Sequence, residues 1–188
     1  MNLTSSTHAK TLIDSIIEVL TQGETLLTEI DNDCYVRKLP NAFNASIGGH
    51  YRHCLDHFRS LLDSVSTGNL NYDHRERGTL VENDRFAALN ATRGLRDEYQ
   101  RWSMSGIDQQ LKVTCKTSYA AAGSQTALST VGREMMYAVA HGVHHYALIG
   151  IMGALMGLKM PAGFGVAPST VKFQSELART VASATSSR

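Results

Sequence analysis

The tightest constraint on this chain is His141-Gly142-Val143-His144-His145, set inside an apolar run from about Met135 to Leu158. Four residues advance an α-helix by one turn with an overshoot of only about 40°, so His141 and His145 share a face. A neutral imidazole is the commonest protein ligand for a metal, and two on adjacent turns can grip one ion. Such a face has to meet other ligands or solvent, which restricts how the helix can pack.

The rest of the chain supplies helices for it to pack against. Leu12, Ile13, Ile16, Ile17, Leu20, Leu26, Leu27 and Ile30 recur at helical spacing between Thr7 and Ile30. A second helix is expected from Ser46 to Ser66, with Ser46 or Asn44 as its cap. Wound at about 100° per residue, it divides into three sectors. Ile47, Tyr51, Cys54, Leu55, Phe58, Leu61, Leu62 and Val65 form an apolar arc, and Arg52, Asp56, Arg59 and Asp63 a charged strip expected to face water. His50, His53 and His57 form the third sector.

Loops are read at Cys34–Asn44 and Thr67–Thr79, around a third helix from Glu82 to Met104 with Phe86, Leu89, Leu95, Tyr99 and Trp102 as core candidates. Alternation around Leu111–Lys116 and a small-residue turn at Ala121-Ala122-Gly123 predict a β-hairpin within Gly106–Ser129. The fourth helix runs from Val131 to Leu158, capped by Ser129 or Thr130, and its nearly all-round apolarity predicts a position in the middle of a bundle. Gly150, Gly153, Ala154 and Gly157 allow close helix approach, either within the monomer or across a homodimer contact. Lys159-Met160-Pro161 ends that helix, Gly163–Pro168 is a stiff loop, and the tail beyond Thr180 is expected to fray. These elements make an all-α four-helix bundle with an inserted hairpin: one domain over residues 1–188, its core at about 7–160, followed by a C-terminal loop and tail.

Charge and composition exclude several classes. The formal charge is +1 with both signs interspersed, so no basic field for nucleic acid exists. Three widely spaced cysteines, Cys34, Cys54 and Cys115, give neither a disulfide framework nor a C-x-x-C site, and with no signal-peptide pattern at the N-terminus the expected compartment is the cytoplasm. The longest uninterrupted apolar run, Ala147–Leu158, is too short to span a bilayer, so no membrane association is expected. H-E-x-x-H, paired E-x-x-H, a Gly-rich phosphate loop and a serine nucleophile elbow are all absent.

Six of the eight histidines fall in the two helical segments. A single histidine on such a helix reads as a hydrogen-bonded core residue. Several converging ones are different, because each buried imidazole needs partners for two nitrogens and apolar faces offer few. Two ligands from the fourth helix and one from the second leave a coordination position for water. His53, His57, His141 and His145 together would close a tetrahedral, structural shell instead. Glu134, two turns before His141, reads either as a catalytic general base or as a first-turn glutamate favoured by the helix dipole. Tyr137 reads as an oxyanion donor or a packed ring, Arg75 and Arg77 as a grip for a substrate carboxylate or a solvated loop, and Cys54 as core.

Ser46-Ile47-Gly48-Gly49-His50-Tyr51-Arg52-His53 and His141-Gly142-Val143-His144-His145 resemble the matching stretches of the DinB-like superfamily of four-helix-bundle metalloproteins. That superfamily includes metal-dependent hydrolases and thiol-dependent transferases and isomerases. The resemblance implies a bundle in up-down-down-up order and a metal site of His53, His141 and His145, with His50, His57 and His144 lining or supporting it. It also implies a divalent ion, zinc or nickel, and a small-molecule substrate that includes a low-molecular-weight thiol among its candidates. Many members carry Arg-Gly-Gln after the paired histidines; Tyr146-Ala147-Leu148 stands here, so no single reaction follows. The rival reading is a non-catalytic, metal-stabilised bundle acting as a binding or stress-response module.

Overall fold

The computed structural model describes residues 3–74, 78–102, 106–120 and 123–186. In chain order its helices are α1 (Leu3–Glu29), α2 (Asn32–Val36), α3 (Ile47–Thr67), α4 (Leu80–Asn83), α5 (Arg85–Arg101), α6 (Val131–Leu155) and α7 (Pro168–Ser186). Three strands, β1 (Asn69–Asn71), β2 (Gln110–Cys115) and β3 (Gln125–Thr130), form one small mixed sheet in the order β1-β2-β3. The chain is therefore mostly helical, with a sheet that an all-α description omits.

Local chemistry accounts for the ends of the site-bearing helices. Ser46 caps α3 by accepting a hydrogen bond from the Gly49 N–H at 3.0 Å, and Gly68, at φ 70°, closes it by donating its N–H to Ser64. Thr130 caps α6 by accepting from the Arg133 N–H. Because Thr130 also ends β3, the hairpin runs directly into α6 and aims it. The hairpin is pinned in turn by the buried Leu111 and by β1, which pairs parallel to β2 with Leu70 opposite Val113.

The long helices pack as α1 against α5 and α6, and α3 against the same two. Between them lie Ile16, Leu20, Leu27, Ile47, Phe58, Leu61, Met135, Ala138 and Ile149, all fully buried. Gly142 sits where α6 comes closest to its neighbours: a β-carbon there would stand 3.2 Å from both the Phe58 ring and Val19. A small residue between the paired histidines thus lets α6 press against α3 and α1.

Several expectations need correcting. The expected loop at Thr67–Thr79 contains β1, and the one at Cys34–Asn44 contains most of α2 and a short 3-10 turn at Pro40–Ala42. The third helix is broken: Asp84 ends α4 and caps α5 by accepting from the N–H groups of Phe86 and Ala87. Phe86 is exposed rather than core, its ring covered by the Arg85 guanidinium at 4.0 Å. The charged strip of α3 does not wholly face water, since Arg52 is buried against Asp56 and Glu82.

The C-terminal third departs most. α6 is not enclosed; one side lies on α1 and α3, while Met136, Ile151 and Leu155 on the other are exposed. Gly150 and Gly153 face Phe164 and Met160 of the same chain, so their smallness serves packing within the monomer. The supposed fraying tail is helical through Ser186. Among the described residues, α6 is also the one helix long and apolar enough to cross a bilayer, which the shorter run Ala147–Leu158 did not indicate. About 33% of its apolar stretch is buried inside the chain, on the side that packs on α1 and α3. Met104, Ala121, Ala122, Arg75 and Arg77 lie outside the described residues.

Gly23 provides a test of this packing. In α1 it faces the hydroxyls of Tyr51 and Tyr146, and a β-carbon would collide with both. Gly23→Ala is expected to cost about 1–3 kcal/mol through overpacking, despite alanine's better helix propensity, and a denaturant titration measures it.

Candidate metal centre

The α3–α6 pairing brings the histidines together. Among the described residues, His53, His141 and His145 form the group whose ligand atoms all lie within 4.8 Å of one another. The Nε2 atoms of His53 and His141 are 3.1 Å apart. Nitrogens bound tetrahedrally to a divalent ion at about 2.0–2.1 Å stand roughly 3.3 Å from each other, so this spacing fits a shared ion. The three rings are half-buried.

The surrounding groups fix ring orientation. Nδ1 of His145 lies 2.9 Å from Nδ1 of His50. With the proton on His145, that contact is a hydrogen bond and leaves the Nε2 lone pair of His145 free to coordinate. His57 is buried, and its Nδ1 donates to the His53 carbonyl at 3.0 Å while its ring lies 4.5 Å from that of His53 and 4.1 Å from that of His141. His57 therefore braces both ligand rings. His144 is exposed beside His145, with ring centroids 5.3 Å apart.

Glu134 reaches the histidines indirectly. It is fully buried; one oxygen accepts from the Tyr72 hydroxyl at 2.8 Å, the other from Ser129 at 2.6 Å and Arg133 at 2.7 Å. Tyr72 in turn stacks on His57 with ring centroids 4.7 Å apart and an interplanar angle of 16°. Burial first, then the Glu134 charge, push the Tyr72 hydroxyl far above its ordinary pKa, so it remains a donor. Tyr137 also lines this end, 5.5 Å from His141 and 5.4 Å from Tyr72. Sequence reasoning passed over Tyr72, in a stretch read as loop, and read Ser129 only as a cap; nothing local announces that β1 and β3 deliver them to one carboxylate. Cys54 is buried, and that burial raises its thiol pKa, in keeping with a core role.

Electrostatics favour neutral, ligating imidazoles. Burial, followed by the neighbouring His141, His50, His144 and His57, lowers the His145 pKa from 6.5 to about 3, and burial lowers that of His50. A cleft of about 690 Å³ between α3, α4 and α5 lies elsewhere. Its lining includes Arg52 and Arg59, which are already matched by Asp56, Glu82, Glu98 and Asp63, but none of these six histidines.

Comparison with known proteins adds one partial likeness. No family model matches the chain. FK506-binding protein 5 of Rhizopus delemar is 34% identical over 103 residues, 55% of this chain and 27% of that protein. The chain thus spans about a quarter of that relative's length.

Two outcomes follow. Between pH 3 and 6.5 an unfolded chain protonates residue 145 and the folded one does not, so the stability of the metal-free protein is lost as pH falls from about 6.5 toward 3. Denaturant midpoints measured across that range should decline with acidity, and less steeply in His145→Asn. Glu134→Ala leaves buried donors unmatched and is expected to cost about 1–3 kcal/mol, read from thermal or denaturant unfolding.

Proposed function

We propose that this chain is a divalent-metal protein of the DinB-like kind, in which His53, His141 and His145 hold one ion at a site open to a small molecule. In this reading α1, α3, α5 and α6 are the four helices of an up-down-down-up bundle, and the sheet is an insertion that aims α6. The observation that carries the proposal is the convergence of three imidazole nitrogens from two helices within 4.8 Å. A divalent ion held there supplies Lewis acidity, drawing the pKa of a water or a substrate thiol toward about 7.

The chain's own residues prepare that chemistry. His50 orients His145 through Nδ1, and His57 fixes the backs of the His53 and His141 rings. Burial keeps His145 unprotonated near neutrality, as a ligand must be. Glu134 acts through Tyr72 as a positioning residue rather than as a direct base. Hydrolysis and thiol transfer both begin with such an activated nucleophile, and the proposed activity is one of the two, with a small-molecule substrate in the cytoplasm. Zinc and nickel both suit an all-imidazole set. The likeness to a Rhizopus delemar protein supplies no substrate, since its name describes a much longer chain.

Purified protein should carry one divalent ion per chain by elemental analysis. His141→Ala and His53→Ala should each lower metal affinity at least tenfold while the far-ultraviolet circular dichroism stays helical. Retention of metal by His141→Ala would contradict the ligand assignment. Metal-loaded protein screened with low-molecular-weight thiols plus electrophiles, and with esters and amides, should show turnover that disappears in His141→Ala; a metal-loaded protein inert throughout would favour the binding-module reading.

A further inference from the structure

Two apolar surfaces of this chain are left uncovered. The first is the outer side of α6, where Met136, Ala140, Ala147, Ile151 and Leu155 fall within an arc of about 100° on the helical wheel that also holds the exposed His144. Met136, Ile151 and Leu155 are 62%, 60% and 59% exposed, and no residue from Met135 to Leu158 carries a formal charge. The alanines make a shallow floor between larger side chains. The second surface is α7, exposed at every residue from Pro168 to Thr180. Phe173 and Leu177 lie about 40° apart on the helical wheel, flanked on one side by Lys172, Glu176 and Arg179, with Val171 about 160° round from Phe173.

α7 needs a surface to rest on. An isolated helix of this length, rich in serine, threonine and valine, is marginal in water by itself. Its start is tied down: Phe164 stacks on Tyr146 with centroids 4.8 Å apart, and the Gly165 N–H donates to Gln22 at 3.4 Å. With that anchor in place, the apolar side of α7 remains uncovered within its own chain.

We propose that the protein is a two-fold homodimer in which α7 of each copy lies along the outer face of α6 of the other. The dimensions match: 19 residues of α7 and the stretch from Met136 to Leu155 each extend about 28 Å. A face without formal charge, broken only by the imidazole of His144, favours a largely apolar occupant, and a second copy brings one of the right length. Reciprocal exchange closes the assembly, because each copy offers one α7 and receives one. Covering Met136, Ile151, Leu155, Phe173 and Leu177 on both copies removes on the order of 1,000 Å² from water, the lower bound for a specific interface. A net charge of +1 per chain opposes this little.

The test is sedimentation velocity on the full chain at tens of micromolar, where a species of two-chain mass is expected with or without chelator. Phe173→Glu and Ile151→Glu, both at exposed positions, should each weaken dimerisation at least tenfold while helicity and metal content stay unchanged. Mixing the two variants discriminates further. The heterodimer keeps one intact pair, wild-type α7 on wild-type α6, so the mixture should dimerise more tightly than either variant alone. A wild-type monomer at these concentrations, including one that binds phospholipid vesicles instead, overturns the proposal. So does a mixture no tighter than its components.

Discussion

Everything at the candidate centre depends on how closely α3 and α6 approach. Imidazoles on apolar helix faces are costly unless each nitrogen finds a partner, and here the helices are near enough for the rings to serve one another. Gly142 permits that approach, with Phe58 and Val19 filling the space a side chain would take. The result is a patch in which the rings of His53 and His141 touch each other and those of both His57 and His145, with His50 and His144 at its edge. In the absence of an ion His145 resists protonation, because its imidazolium would face both desolvation and the neighbouring imidazoles.

The small sheet earns its place by bracing this patch. β1 leads into Tyr72, β3 brings Ser129, and both donate to the buried Glu134 of α6. Tyr72 then presses on His57, whose proton is committed to the His53 carbonyl. A carboxylate distant from the ligand atoms thereby sets the inclination of rings that touch them. Glu134 occupies the first turn of α6, as the dipole favours, and its oxygens are committed to Tyr72, Ser129 and Arg133, so in the proposed reading it supports the site through Tyr72 in place of the general-base role.

What could be read from the sequence was whatever local periodicity and capping encode. The approximate extents of α1 and α3, the hairpin and the shared face of His141 with His145 follow from spacing, and the caps Ser46 and Thr130 were each one of two candidates. Features that depend on distant partners were not legible. Asn69–Asn71 is too short to announce a strand and becomes one only by pairing with β2. Arg52 looks solvent-facing on a helical wheel, yet Glu82, thirty positions away, draws it inside. The break at Asp84 depends on a side chain choosing to cap rather than continue a helix, and the apolarity of α6 concealed that one of its faces has no neighbour within the chain.

The most direct measure of the central claim is X-ray absorption spectroscopy at the edge of the bound metal, which counts imidazole scatterers around the ion. The account predicts three histidines and at least one non-protein light-atom ligand. Four histidines with a filled shell, or a set containing sulfur, would contradict an open three-histidine centre built by α3 and α6.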